Sequence, residues 1–112
     1  MEKQMMKDCI QACLDCAMAC EYCASACLRE EEVKMMVDCI RLDLDCADLC
    51  MMTAKLLSRE SKHGMHMLEE CIEICDLCAA ECSKHHFDHC QQCAEACQRC
   101  SEECKKHLME VE

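Results

Sequence analysis

The chain contains no proline and no tryptophan, and it has one glycine (Gly64), one phenylalanine (Phe87) and one tyrosine (Tyr22). Each shortage excludes something. Without Pro and Gly there is little from which to build the many tight turns of a loop-rich fold. Without aromatic rings the core must be made of smaller groups. No run of about 18 apolar residues is present, so no membrane-spanning helix is predicted. Basic residues are also scarce: 12 Lys and Arg stand against 23 Asp and Glu, for a formal net charge of −11. Such a surface repels nucleic acid and anionic lipid, and the even spread of the acids fits the solvated face of helices. The opening residues Met1-Glu2-Lys3-Gln4-Met5 reach Asp8 without the apolar segment of a secretory signal, so a cytoplasmic location is the expectation.

What the chain has in abundance is sulfur, with 18 Cys and 11 Met among 112 residues. At this length a single domain spanning 1–112 is expected. So much cysteine in a short chain is normally a secreted disulfide scaffold. The missing turn residues and the missing signal contradict that reading, and the cysteines are expected to be reduced, as thiols or metal thiolates.

Their spacing is regular. Cys9, Cys13, Cys16, Cys20, Cys23 and Cys27 advance by steps of 4 and 3, the rhythm that keeps one face of an α-helix toward a partner. A strand would scatter the same positions over both faces. The rhythm returns in Cys71, Cys75, Cys78 and Cys82, and again in Cys90, Cys93, Cys97, Cys100 and Cys104. A fourth segment carries Cys39, Cys46 and Cys50, with Asp43 at the missing step. These patterns predict four helices near 3–28, 32–58, 63–84 and 89–109. Glu30, Glu31 and Glu32 suit the positive end of the second helix, Ser61 is a candidate N-cap for the third, and Asp88 with Gln91 has capping-box spacing for the fourth. Short connections make the predicted fold an all-α, antiparallel, up-down-up-down four-helix bundle with a cysteine-lined core. A faint repeat, Cys9-Ile10-x-x-Cys13-x-x-Cys16-x-x-x-Cys20 echoed by Cys71-Ile72-x-x-Cys75-x-x-Cys78-x-x-x-Cys82, points to a duplicated hairpin.

One or two buried cysteines pack as small hydrophobes and mean little. Here nearly every core position is Cys, and a core with so little volume would be a thinly packed channel unless something filled it. Cysteines four apart, such as Cys9/Cys13, Cys16/Cys20, Cys23/Cys27, Cys46/Cys50, Cys71/Cys75, Cys78/Cys82, Cys93/Cys97 and Cys100/Cys104, stack on one helix face and could clasp a soft ion. Charge selects the ion. Stacked Zn(II)-Cys₄ sites would each leave two negative charges in a dry core. One Cu(I) per displaced thiol proton leaves it neutral, and soft thiolates favour Cu(I) by type. The C-x₂-C-x₂-C-x₃-C-P run of bacterial iron–sulfur ferredoxins is absent.

At this point the chain resembles the cytosolic copper storage proteins over nearly its whole length. The residues that carry the resemblance are the stripe of the first helix, the segment Cys39-Ile40-Arg41-Leu42-Asp43-x-x-Cys46-Ala47-Asp48-x-Cys50, and the turn Lys84-His85-His86-Phe87-Asp88-His89-Cys90. The resemblance implies a bundle that holds many Cu(I) ions by two-coordinate thiolate ligation and assembles as a homo-tetramer. Leu68 departs from it, standing where similar chains can carry Cys.

In an antiparallel bundle one mouth collects Cys27, Cys39, Asp43, Cys82, His85, His86, His89 and Cys90. Asp43, His85 and His89 are candidate metal ligands there, suited to an ion still exchanging water or a donor ligand, although solvated turn histidines are the simpler reading. Asp43 is expected near His85 and His89. The other mouth has Met5, Met6, Leu57, Leu68 and Leu108 near the core line, with Met51, Met52, Met65, Met67, His63, His66 and His107 around it, and reads as an apolar plug, with a thioether-lined second entrance as the alternative. The function these features imply is storage or buffering of Cu(I) received from a donor protein or small thiol, with no enzymatic activity, no nucleic acid and no membrane as partners. Competing classes are an iron–sulfur electron carrier, a metallothionein-like sink for other soft metals and a copper-sensing repressor, the last lacking the basic surface it would need.

Overall fold

A helix face of small thiols lets neighbouring backbones approach closely, and four such faces close on one another. The structure, a computed structural model, describes residues 2–111; residues 1 and 112 of the expected domain lie outside the described residues. Four helices, α1 (Glu2–Leu28), α2 (Val37–Ser58), α3 (Gly64–Cys82) and α4 (Asp88–Val111), carry the fold, and a single 3₁₀ turn, Val33–Met36, precedes α2. Each helix packs against two neighbours, α1 with α2 and α4, α3 with α2 and α4, while the diagonal pairs face each other across the axis. This is the up-down-up-down arrangement, drawn out to 45 × 18 × 17 Å. Among the described residues no helix is long and apolar enough to cross a membrane.

The turns use unusual residues because Gly and Pro are missing. After α2 the Ser61 N–H reaches the Leu56 carbonyl and the Glu60 N–H reaches Leu57, a Schellman closure whose left-handed residue is normally glycine. Here Glu60 takes that place, at φ 51°. Gly64 then opens α3 where an added Cβ would stand 3.3 Å from the Leu57 side chain, so its lack of one lets the two helices meet closely. Ser61 is not the N-cap expected for α3: its Oγ accepts from the His63 N–H, 3.1 Å, and shapes the turn one step earlier. The capping box at α4 is also corrected. Asp88 is the first helical residue, and Gln91 donates from Nε2 to the carbonyls of Ser83 and His85 at 3.3 and 2.6 Å, tying α4 to the preceding loop. The three glutamates do not lead directly into α2, because the 3₁₀ turn with buried Met36 intervenes.

Few polar groups cross the helix interfaces. Fully buried Thr53 donates to Leu49 O at 2.7 Å and Met67 O at 3.3 Å, linking α2 to α3. Ser101 donates to Asp76 at 2.6 Å between α4 and α3. The rest of the core is sulfur, with alanines filling the seams between helices and Leu57 and Leu68 closing one end.

Candidate metal centre

The 4-3 rhythm puts every cysteine side chain on the bundle axis. All 18 are buried, each with 0% exposure, and none is in a disulfide. Each sulfur lies 3.3 to 4.0 Å from at least one other, well beyond the S–S bond length of about 2.05 Å. Of the cysteine pairs four apart, six come within 4.0 Å: Cys16/Cys20, Cys23/Cys27, Cys46/Cys50, Cys71/Cys75, Cys78/Cys82 and Cys100/Cys104. Cys9 and Cys13 instead both contact Cys104, at 3.3 and 3.8 Å. Contacts also span the diagonals, as in Cys13···Cys71 and Cys46···Cys97 at 4.0 Å.

The thiols form overlapping groups of four whose sulfurs all lie within 4.8 Å of one another. Cys13, Cys71, Cys100 and Cys104 make one; Cys16 and Cys46 belong both to a group with Cys50 and Cys75 and to another with Cys20 and Cys97; Cys20 and Cys97 recur with Cys78 and Cys93. Cys23, Cys27, Cys39 and Cys90 form the group nearest the histidine turn. Sharing of members matters chemically. Isolated tetrahedral Zn sites use each thiolate once, whereas a continuous ladder of shared sulfurs lets ions sit between neighbours along its whole length.

Asp43 is the one carboxyl inside this column. It is fully buried, and its Oδ1 accepts from the thiols of Cys78, Cys82 and Cys93 at 3.2, 3.3 and 3.2 Å, with Cys39 3.8 Å from Oδ2. Burial, and then the field of Cys93, pushes its pKa up from 3.8 to about 8. Burial likewise raises Cys27 to about 11 and Cys90 further still, so these two thiols at the histidine end hold their protons when empty.

Neither candidate histidine hydrogen bonds to Asp43, although His89 and Asp43 touch the same group of four thiols, Asp43 through Cys39. His89 Nδ1 faces the outermost thiols, 3.6 Å from Cys23, 3.8 Å from Cys27 and 3.5 Å from Cys90, while its Nε2 meets Glu30 at 2.9 Å. The Phe87 ring stacks on it with centroids 5.4 Å apart. His85 Nε2 pairs with Glu81 at 2.9 Å, and His86 is exposed. The carboxylate sits deeper, among thiols, and His89 occupies the rim.

At the other end Leu68 and Leu57 are buried as expected, and Met6 and Met65 pack partly against the core. Leu108, expected on the core line, and His107, expected around it, exchange places: His107 is 6% exposed and Leu108 half-buried. The signal was present: the step after Cys100 and Cys104 in the 4-3 rhythm is 3, which lands on His107.

A helical bundle whose axis is an unbroken column of reduced thiols belongs to the class of soft-metal-binding thiolate proteins. A family model described as copper storage protein matches residues 2–109. The chain therefore belongs to the copper storage protein family. Solved structures agree. A cytosolic copper storage protein from Streptomyces lividans, loaded with five coppers, superposes with a TM-score of 0.93 at 41% identity, covering 96% of this chain and 95% of that one. The same organism's protein with 10 copper equivalents gives 0.92 and 42%, covering 95% and 85%. The apo form of copper storage protein 3 from Bacillus subtilis gives 0.84 and 40%, covering 91% and 97%. Among curated proteins no significant match was found.

Proposed function

We propose that this chain stores and buffers many Cu(I) ions in the cytoplasm, each held by the thiolates of the core column. The observation that carries the reading is the continuous ladder of 18 fully buried, unbridged cysteines. Each Cu(I) that enters replaces one thiol proton, which leaves with the donor or with water, so a filled core stays neutral. That is the condition a dry channel imposes. The copper-loaded structures of the Streptomyces lividans relative support the same cargo here. The role is binding, with Cys9, Cys13, Cys16, Cys20, Cys23, Cys27, Cys39, Cys46, Cys50, Cys71, Cys75, Cys78, Cys82, Cys90, Cys93, Cys97, Cys100 and Cys104 as ligands, and the reading assigns no catalytic step to any of them.

Asp43 joins them as an internal carboxyl ligand that meets an ion where α2 has no cysteine. His89, at the rim with its Nδ1 against Cys23, Cys27 and Cys90, is the first protein ligand offered to an arriving ion, and Glu30 orients its ring. His85, held by Glu81, supplies a second imidazole beside the door. Exposed Met18, Tyr22, Leu44, Met52 and Leu77 support assembly into a homo-tetramer, since a single chain leaves these apolar side chains in water.

Anaerobic titration of reduced protein with Cu(I) against a chromophoric chelator tests the proposal. The expected endpoint is roughly one ion per thiol. Saturation at about four or five ions would indicate separate four-thiolate sites and overturn it.

A further inference from the structure

The stripes of cysteine continue for one more step past the end of the thiol column away from the histidine turn. Below Cys9 the step lands on Met6, below Cys71 on Leu68, beyond Cys50 on Thr53, and beyond Cys104 on His107. Leu68 is sealed by packing, and Thr53 has two carbonyl partners. His107 has neither excuse. It is 6% exposed, and its buried Nδ1 has no hydrogen-bond partner among the described residues. A polar atom so placed is unfavourable unless something meets it.

The imidazole lines a cleft of about 340 Å³ to which all four helices contribute, through Lys3, Met6, Leu57, Met65 and His107 itself. On the thiol side of this cleft Cys9 and Cys104 form the closest sulfur pair among the described residues, 3.3 Å apart. His107 stands one helical turn beyond Cys104 on the same face of α4.

We propose that this end holds a further Cu(I) site of mixed donors, made of His107 Nδ1 and the Cys9/Cys104 thiols with the Met6 and Met65 thioethers alongside, which exchanges its ion with a small thiol in the cleft. The proposal rests on the copper-storage reading. The donor set is soft throughout, as Cu(I) requires. With the imidazole proton on Nε2, Nδ1 has a free lone pair. Transfer balances without a redox step: the Cu–S bond of the incoming carrier breaks, a Cu–S bond to Cys9 forms, and the Cys9 proton leaves with the carrier's thiolate.

The test uses the full chain with ¹⁵N-labelled histidine, empty and filled with Cu(I) under anaerobic conditions. The His107 resonances are assigned by their loss in His107→Leu. Filling should shift His107 Nδ1 while Nε2 keeps its proton. An unshifted Nδ1 in protein that has taken up a full complement overturns the site and leaves storage intact. A shifted Nδ1 with a capacity of only about four or five ions supports the site and sinks the storage reading instead. In His107→Leu, whose apolar side chain fills the same space, removal of the first ion by a small thiol should slow about tenfold, the low end of what a lost metal contact costs, with the circular dichroism spectrum unchanged. Equal removal rates would count against the site. Should that variant not fold, His107→Gln supplies the assignment, and the resonance of the unmutated protein still decides.

Discussion

Asp43 shows how one residue inherits its chemistry from a periodic pattern. It occupies a cysteine step, so the helix delivers its carboxyl to the axis whatever the solvation cost, and three thiols supply the hydrogen bonds that water would have made. Its pKa, raised from 3.8 to about 8, means that the folded chain keeps this proton over a range in which the unfolded chain has lost it. The unfolded state then binds fewer protons, so stability of the empty protein falls as pH rises from about 4 toward about 8, and below about 4 the difference vanishes because both states are protonated. Thermal unfolding of the empty protein at about pH 5 and about pH 7.5 should show the lower midpoint at the higher pH. Asp43→Asn should shrink that gap; an unchanged gap would assign it to other groups. Leu68 is the contrasting case, an apolar residue at a cysteine step with 0% exposure. Leu68→Ala should cost about 2 to 5 kcal/mol in chemical denaturation of the empty protein, and a loss well under that range would mean that the plug collapses around the smaller side chain.

At the scale of elements the proposed division between uptake and storage falls at the histidine turn between α3 and α4. His89 alone of its three histidines touches thiols, while His85 and exposed His86 stand outside. Replacing His85, His86 and His89 together with Ala should change the stopped-flow rate of Cu(I) transfer far more than the number of ions bound. Altered capacity at an unchanged rate would make them storage ligands or mere surface. The four helices and their inward faces were legible because the 4-3 spacing of cysteine is a direct record of helix geometry. The caps were not legible, because Gln91 chooses carbonyls of Ser83 and His85 that are near only once the loop is folded. Nor could it be read that Asp43 meets the histidine end through thiols and not by a direct hydrogen bond, since periodicity fixes which way a side chain points and leaves open how far one helix is slid against the next. His107 is legible at this mouth from the sequence, and its place on the core line follows from one further step of the stripe, which a residue type other than cysteine obscures.

For the whole molecule, the long narrow shape and the single column of sulfurs are one fact: four helices closed around an axis leave room for a file of ions and for little else. Neutral loading removes the repulsion that would otherwise cap the number held. The acidic exterior, with a net charge of −11, surrounds the bundle with a negative potential that attracts cations.

A file of cargo has an order, and the column therefore keeps a record of its own filling. With a single door at the His89 rim the ions form a stack, so the last to arrive is the first to leave. With a second door at His107 the same column becomes a pipeline, and old cargo leaves by the far end as new cargo presses in. Loading half the sites with one stable copper isotope and the remainder with another, then stripping a few ions at a time, reads this order by mass. Recovery of the second isotope first is the signature of one door, recovery of both from the outset is that of two, and complete scrambling before any ion leaves would mean that copper hops along the sulfur ladder faster than it departs.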